Sequence, residues 1–215
     1  AQAPSAIDTD AHPARTPHSG ERAGDDEGDV SMDILAMLDG HANEAEAHDA
    51  AEVYSPPRVV PVARRRGYAG GWSLDLTTAD QEGRPWDFDC EDTRRRAIQL
   101  LRDTEPKLLI LSPMCTYFSS MMHLAKLGMD PAEFQRRYER ALSHLRFAFD
   151  LAEMQRRAGR YFLFEHPAHA TTWAIDFVAQ MAERPDVHLV LTHQCRFGQR
   201  GHDAQGEALV KKPTR

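Results

Sequence analysis

Three short apolar runs, KLLILS at 107–112, RYFLFE at 160–165 and VHLVLT at 187–192, are separated by stretches whose apolar residues recur at threes and fours. Short apolar runs between turn signals suit buried strands, whereas a period near 3.6 needs a helix. Strand, helix, strand, helix, strand in that order calls for parallel pairing, with helices covering both faces of the sheet. The connection DPAEFQRRYERALSHLRFAFDLAEMQRRAG (130–159) is the best defined: Asp130 is placed to cap it, Pro131 suits its first turn and Gly159 ends it. Phe134, Tyr138, Leu142, Leu145, Phe149 and Ala152 form its expected buried stripe. TTWAIDFVAQMAE (171–183) predicts a second helix, and DTRRRAIQLLRD (92–103) another, opened by Asp92 or Thr93. Upstream, EVYS (52–55) and GWSLDL (71–76) read as two more strands, with VVPVARRRG between them as a turn or helix closing at Gly67. The expected fold class is α/β, a mostly parallel sheet with helices on both faces in the Rossmann-like manner.

Charge divides the chain where this pattern begins. Residues 1–50 hold twelve of the 33 acidic residues and only two basic ones, Arg15 and Arg22, for a net −10. Their Ala, Pro, Asp, Gly and Ser content cannot offset the entropy of ordering, so 1–50 is expected to be a disordered acidic segment and 51–215 the folded domain. Within the leader, SMDILAMLDG (31–40) has the pattern of a two-turn helix stopped by Gly40, too short to be stable without a partner. The remainder carries +3, a mild basicity that suits a polyanionic partner. No run reaches the ~20 apolar residues of a membrane span. Cys90, Cys115 and Cys195 are widely spaced and odd in number, which predicts free thiols and an intracellular, reducing setting. Their spacing supplies no zinc half-site, and no metal ligand set is assigned.

Ligands of open parallel sheets collect at the carboxyl ends of the strands. Ser55, Asp75, Cys115, Glu165 and Cys195 all follow expected strands on that edge. Taken singly, each has a plainer reading: a free cysteine packs as a small hydrophobe, Glu165 caps a loop, His166 is a turn residue with a satisfied ring, and His123 packs or is solvated. Cys195 reads as core, Trp72 as core or an adenine stack, and Arg64–Arg66 and Arg94–Arg96 as solvated helix faces or phosphate contacts.

Taken together, SPMCTYFS (112–119) resembles the Pro-Pro-Cys-x-x-Phe-Ser nucleophile loop of DNA cytosine-5 methyltransferases, with Met114 in place of the second proline. FLFEHP (162–167) is similar to that family's strand ending in Glu-Asn-Val or Glu-Asn-Pro, and HQCRFGQRG followed by LVKKPTR resembles the Cys-x-Tyr-Gly and Lys-Pro-Thr segments of divergent phage and mobile-element members. The match runs in order over roughly residues 52 to 215 and implies a methyltransferase-like domain, expected to be incomplete at its C-terminus. Cys115 would be the thiolate that adds to C6 of cytosine, and Glu165 the acid at N3. Ser55, Asp75 and Asp89 would hold S-adenosylmethionine, with Asp75 toward the ribose and Asp89 toward the adenine. Ser119, Ser120 and Arg196 would touch the nucleic acid. The partner implied is DNA offering a flipped or single-stranded cytosine, because neither reacting atom is accessible in a stacked duplex.

One element departs from the family. Ser55-Pro56-Pro57-Arg58 stands where a methyltransferase has glycines that let its backbone approach the cofactor. Two functions are therefore carried forward: an S-adenosylmethionine-dependent DNA cytosine-5 methyltransferase, or a catalytically degenerate module of a mobile-element polyprotein, serving as a nucleic-acid-binding or structural unit beside the rest of that polyprotein. A third reading uses Asp75, Asp87 and Asp89 as magnesium ligands of a nuclease.

Overall fold

The computed structural model describes residues 48–119, 122, 126–203 and 206–215. Residues 1–47 of the expected leader, with the 31–40 segment, and the positions Ser120 and His123 lie outside the described residues, whereas Asp49 and Ala50, expected in the leader, are buried in the folded domain.

Four short strands, β1 (Ala50–Val53), β2 (Gly70–Leu74), β3 (Leu108–Leu111) and β4 (Tyr161–Phe164), form one sheet in the order β2-β1-β3-β4. Every pairing is parallel. The expected α/β class is what the chain adopts. Because side chains alternate across a strand, Ala51, Val53, Leu109 and Leu111 point to one face, where α2 (Glu91–Thr104) supplies Ala97 and Leu101 and α3 (Pro131–Arg157) supplies Leu145 and Ala148. Ala50, Leu108 and Ile110 point to the other, where Ala63 of α1 (Val59–Arg65) packs. Strands this short hold because both faces are dry: Ala51, Val53, Leu109 and Leu111 are each fully buried.

The long helix forms where its caps place it. The Asp130 carboxylate accepts from the Glu133 backbone N–H at 2.9 Å, Pro131 opens the first turn, and Gly159 follows at φ +70°. Its buried stripe departs from the expected one at the N-terminal end. Leu145, Phe149 and Ala152 are buried, but Phe134, Tyr138 and Leu142 are half-exposed, and Ala141, His144, Ala148 and Leu151 carry the contact instead. The first two turns meet the loop after β3 through Tyr117 and Phe118 rather than the sheet. Helix α2 begins at Glu91, one residue before the expected Asp92 cap.

Two elements differ more. The 171–183 helix resolves into a 3₁₀ turn, Thr171–Ala174, and a shorter α4 (Asp176–Ala182), interrupted at Ile175, which is extended at ψ 130°. The VHLVLT run contributes only β5 (Thr192–His193), which pairs antiparallel with β8 (Pro213–Thr214) and not with the sheet. Leu189, Val190 and Leu191 are 46 %, 59 % and 59 % exposed. The chain's last residues hold β5 at the rim, since Arg215 and His166 exchange two backbone hydrogen bonds of 2.9 and 3.0 Å. A hairpin of β6 (Arg200–Asp203) and β7 (Gly206–Leu209) lies between β5 and β8 in the chain. Among the described residues no helix is long and apolar enough to cross a membrane.

Candidate functional site at the strand ends

From β1 the chain passes to β2 on one side and then to β3 on the other, so the topological switch point lies between β1 and β3. A crevice at the carboxyl ends of those two strands is where such sheets bind ligands.

On the β3 side, Leu111 is followed by Ser112, whose N–H bonds to the Val53 carbonyl at 3.2 Å, and then by buried Pro113 and exposed Met114. Cys115 is half-buried, and its carbonyl accepts from the Phe118 N–H at 3.0 Å, which folds Thr116–Phe118 into a 3₁₀ turn. Phe118 anchors that turn, with its fully buried ring 5.7 Å from Tyr138 and 6.0 Å from His166. A proline that restricts the backbone on one side and a buried aromatic on the other fix the cysteine beyond the strand. Glu165 leaves the neighbouring strand at the same rim, its N–H bonded to the Leu111 carbonyl at 3.1 Å. The carboxyl group is half-buried; its Oε1 accepts from the Thr214 hydroxyl and, at 3.3 Å, from Gln194 Nε2. Gln194 and Thr214 belong to the HQCRFGQRG and LVKKPTR segments, but their approach to Glu165 comes through the β5–β8 pairing, which nothing in the sequence assigned to them.

His166 couples the two strand ends. Its Nε2 lies 3.0 Å from the Pro113 carbonyl and its Nδ1 2.9 Å from the Thr172 hydroxyl. That network assigns the neutral ring with the proton on Nε2. Burial pushes the imidazole down to about 4, against the opposing pull of the Pro113 carbonyl. The satisfied ring expected for His166 is present, and it also ties the Cys115 loop to the Glu165 strand.

The remaining nucleic-acid candidates are less committed. Ser119 donates to the Thr116 carbonyl at 3.0 Å and is half-buried, and Arg196 stands exposed in the 3₁₀ turn Gln194–Phe197. Cys195, expected in the core, is half-exposed in that turn.

On the β1 and β2 side the rim is built differently. Glu52 is an acid in the middle of an apolar strand, fully buried, and its carboxyl oxygens accept from Ser55 Oγ (3.0 Å), Arg58 N–H (3.0 Å), Val60 N–H (2.8 Å) and Ser73 Oγ (3.1 Å). It therefore satisfies the orphan N–H groups at the start of α1. A lone acid at a strand position whose neighbours are all buried was the signal that sequence reading passed over. Tyr54 adopts φ +62°, uncommon for a bulky residue. Its hydroxyl lies 3.0 Å from His144 Nδ1, and His144 Nε2 lies 3.0 Å from Asp89 Oδ1. Asp89 is also bonded by Arg140, at 2.9 Å from Nε, which holds its carboxyl below the usual range.

These commitments bear on whether S-adenosylmethionine fits. Ser55 is buried and its hydroxyl is shared between Glu52 and the Pro56 carbonyl. Asp89 is held by Arg140 and His144, and the Tyr54 ring packs against Phe88 at 4.8 Å beside the end of β1. Asp75 alone remains suited, with Oδ1 taken by Thr77 and Oδ2 on a half-exposed side chain at the end of β2. Trp72 is occupied, its indole N–H donating to Thr104 at 2.9 Å. Of the three residues expected at the cofactor, Ser55 and Asp89 are thus engaged by protein groups and Asp75 is left with an open carboxyl oxygen. Asp75, Asp87 and Asp89 do not converge: among the described residues no group of three or more such side chains could hold a metal ion.

No family model, curated protein or solved structure matches this chain.

Proposed function

We propose that this chain is a nucleic-acid module of the DNA cytosine-5 methyltransferase type that retains the base-binding half of the site and has lost the cofactor-binding half. A cytosine taken out of the stack enters between the loop after β3 and the end of β4. The Cys115 thiolate forms a bond to C6, the C5=C6 electron pair moves into the ring, and Glu165 delivers a proton to N3. Carbon 5 is then enamine-like and takes up a proton from water. Loss of the original C5 proton, expulsion of the thiolate and return of the N3 proton to the Glu165 carboxylate give back cytosine. The observation that carries this reading is that Cys115 and Glu165 emerge from adjacent parallel strands at one rim, coupled by His166 and Pro113. The test is release of tritium from single-stranded DNA made with [5-³H]cytosine. Release that disappears in Cys115→Ala supports the assignment, and release that persists in the variant rejects it.

The second reading is the complete methyltransferase, with S-adenosylmethionine as methyl donor. It is favoured by Asp75, whose position at the end of β2 suits a ribose hydroxyl. Calorimetry with S-adenosylmethionine separates the two. Saturable heat that Asp75→Ala abolishes selects the second reading, and no heat selects the first.

A further inference from the structure

Beside the Cys115 loop lies a cleft of about 400 Å³ lined by Met114, Tyr117, Glu133, Arg136, Arg137 and Arg140. Three guanidiniums face one carboxylate in that lining. All three arginines are exposed, and Lys126, also exposed, sits 4.9 Å over the Phe134 ring. Glu133 bonds Arg136 through Nε at 3.1 Å and also bonds Arg137, while Asp89 holds Arg140 from outside the cleft. Each guanidinium has five donors, so those ion pairs leave others for a ligand, and exposed pairs of this kind are weak enough to exchange.

The aromatic residues of this face are as ordered as its charges. Tyr117 meets Phe134 edge-on at 6.0 Å, and Phe134 stacks on Tyr138 at 6.2 Å with 12° between the planes. All three are half-exposed, and two of them, Phe134 and Tyr138, are residues that the expected helix stripe would have buried. Half-exposed rings flanked by arginines and a lysine have the composition of a single-stranded nucleic-acid platform, in which bases stack on rings and cations track the phosphates. A duplex, with its bases stacked on one another, could use the cations but not the rings.

We infer that the face formed by Tyr117, Phe134, Lys126 and the Arg136/Arg137/Arg140 cluster binds a single-stranded polynucleotide and leads it to Cys115. The inference rests on the preceding reading for the identity of the partner, and adds the form of that partner and the residues that hold it. Met114 and Tyr117 line the cleft and lie on either side of Cys115 in the chain, so a strand lying in the cleft runs along the loop that carries Cys115.

The experiment is anisotropy of fluorescein-labelled oligothymidylate, which contains no cytosine, titrated with the full chain over a series of salt concentrations. Expected are binding that favours the single strand over a thymine–adenine duplex, a loss of about tenfold in Tyr117→Ala, and near-full affinity in Tyr117→Phe, which keeps the ring. The Arg136→Ala/Arg137→Ala pair should flatten the log–log salt dependence by about 0.7 for each phosphate contact removed. Equal or tighter binding of the duplex, unchanged affinity in both the Tyr117→Ala and arginine variants, or equal affinity for polyglutamate would overturn the inference. Because thymine lacks the target, binding with no Cys115-dependent tritium release counts against the cytosine site alone. Tritium release without oligothymidylate binding counts against this face alone.

Discussion

His166 Nε2 lies 3.0 Å from the carbonyl of Pro113, so one buried imidazole bridges the loop that carries Cys115 and the strand end that carries Glu165. Removing the ring in His166→Ala leaves the Pro113 carbonyl and the Thr172 hydroxyl without their partner and opens a cavity against Phe118 and Phe164. A loss of about 2–4 kcal/mol in urea unfolding is expected. The Cys115-dependent reaction should fall further than the population of folded protein does, because the loop loses its tie to β4. Equal losses in the two would make His166 a packing residue only.

The same ring sets a pH dependence. Its pKa is lowered by burial from about 6.5 to about 4, so the unfolded chain binds the proton more readily than the folded one. The stability it contributes is complete above pH 6.5 and is lost as pH falls toward 4, reaching about 3 kcal/mol for this shift. His144, lowered by burial against the pull of Asp89, acts in the same direction. Asp89 and Glu153, held low by their arginines, lose their contribution at lower pH still. Unfolding midpoints measured from pH 7.5 to 4 should decline through this window in the wild type and more gently in His166→Gln. Parallel curves would contradict the assignment.

Glu52→Ala removes the acceptor for four donors at once, two of them backbone N–H groups at the start of α1. A loss of about 3 kcal/mol or more is expected, the cost of stranding buried donors. Glu52→Gln keeps one carbonyl oxygen in place and should lose less than half as much. Matching losses in chemical denaturation would show that side-chain volume, not hydrogen bonding, is what Glu52 supplies.

Tyr54→Phe keeps the ring against Phe88 and Phe147 but takes the hydroxyl from His144 Nδ1. About 1–2 kcal/mol of stability should go, with tritium release unchanged once corrected for the folded fraction. A large fall in release at constant stability would instead bring Tyr54, His144 and Asp89 into the chemistry.

The sequence made the sheet and its longest helix readable because their signals are local. Buried runs such as LLIL need no distant partner to be recognised, and Asp130, Pro131 and Gly159 act on their own helix ends. The order of strands placed Cys115 and Glu165 on one rim for the same reason. What escaped depends on contacts made elsewhere. The apolar run 187–191 forms no strand, the pairing starting only at Thr192–His193 with 213–214, and nothing within the run records that. Phe134 and Tyr138 keep helical spacing yet stay half-exposed because α3 there faces a loop, not the sheet. Ser55 and Asp89 have suitable chemistry for a cofactor, but Glu52, Arg140 and His144 claim them, from 3 to 55 positions away in the chain.

Single-stranded DNA carrying 2-pyrimidinone in place of cytosine is the most direct probe, because without the 4-amino group its C6 accepts a thiol and needs no methyl donor. The expected result is a covalent adduct that peptide mass spectrometry places on Cys115, absent in Cys115→Ala and slowed in Glu165→Gln. No adduct in the folded wild type, or one mapped to Cys90 or Cys195, would contradict a base-binding site built from the ends of β3 and β4.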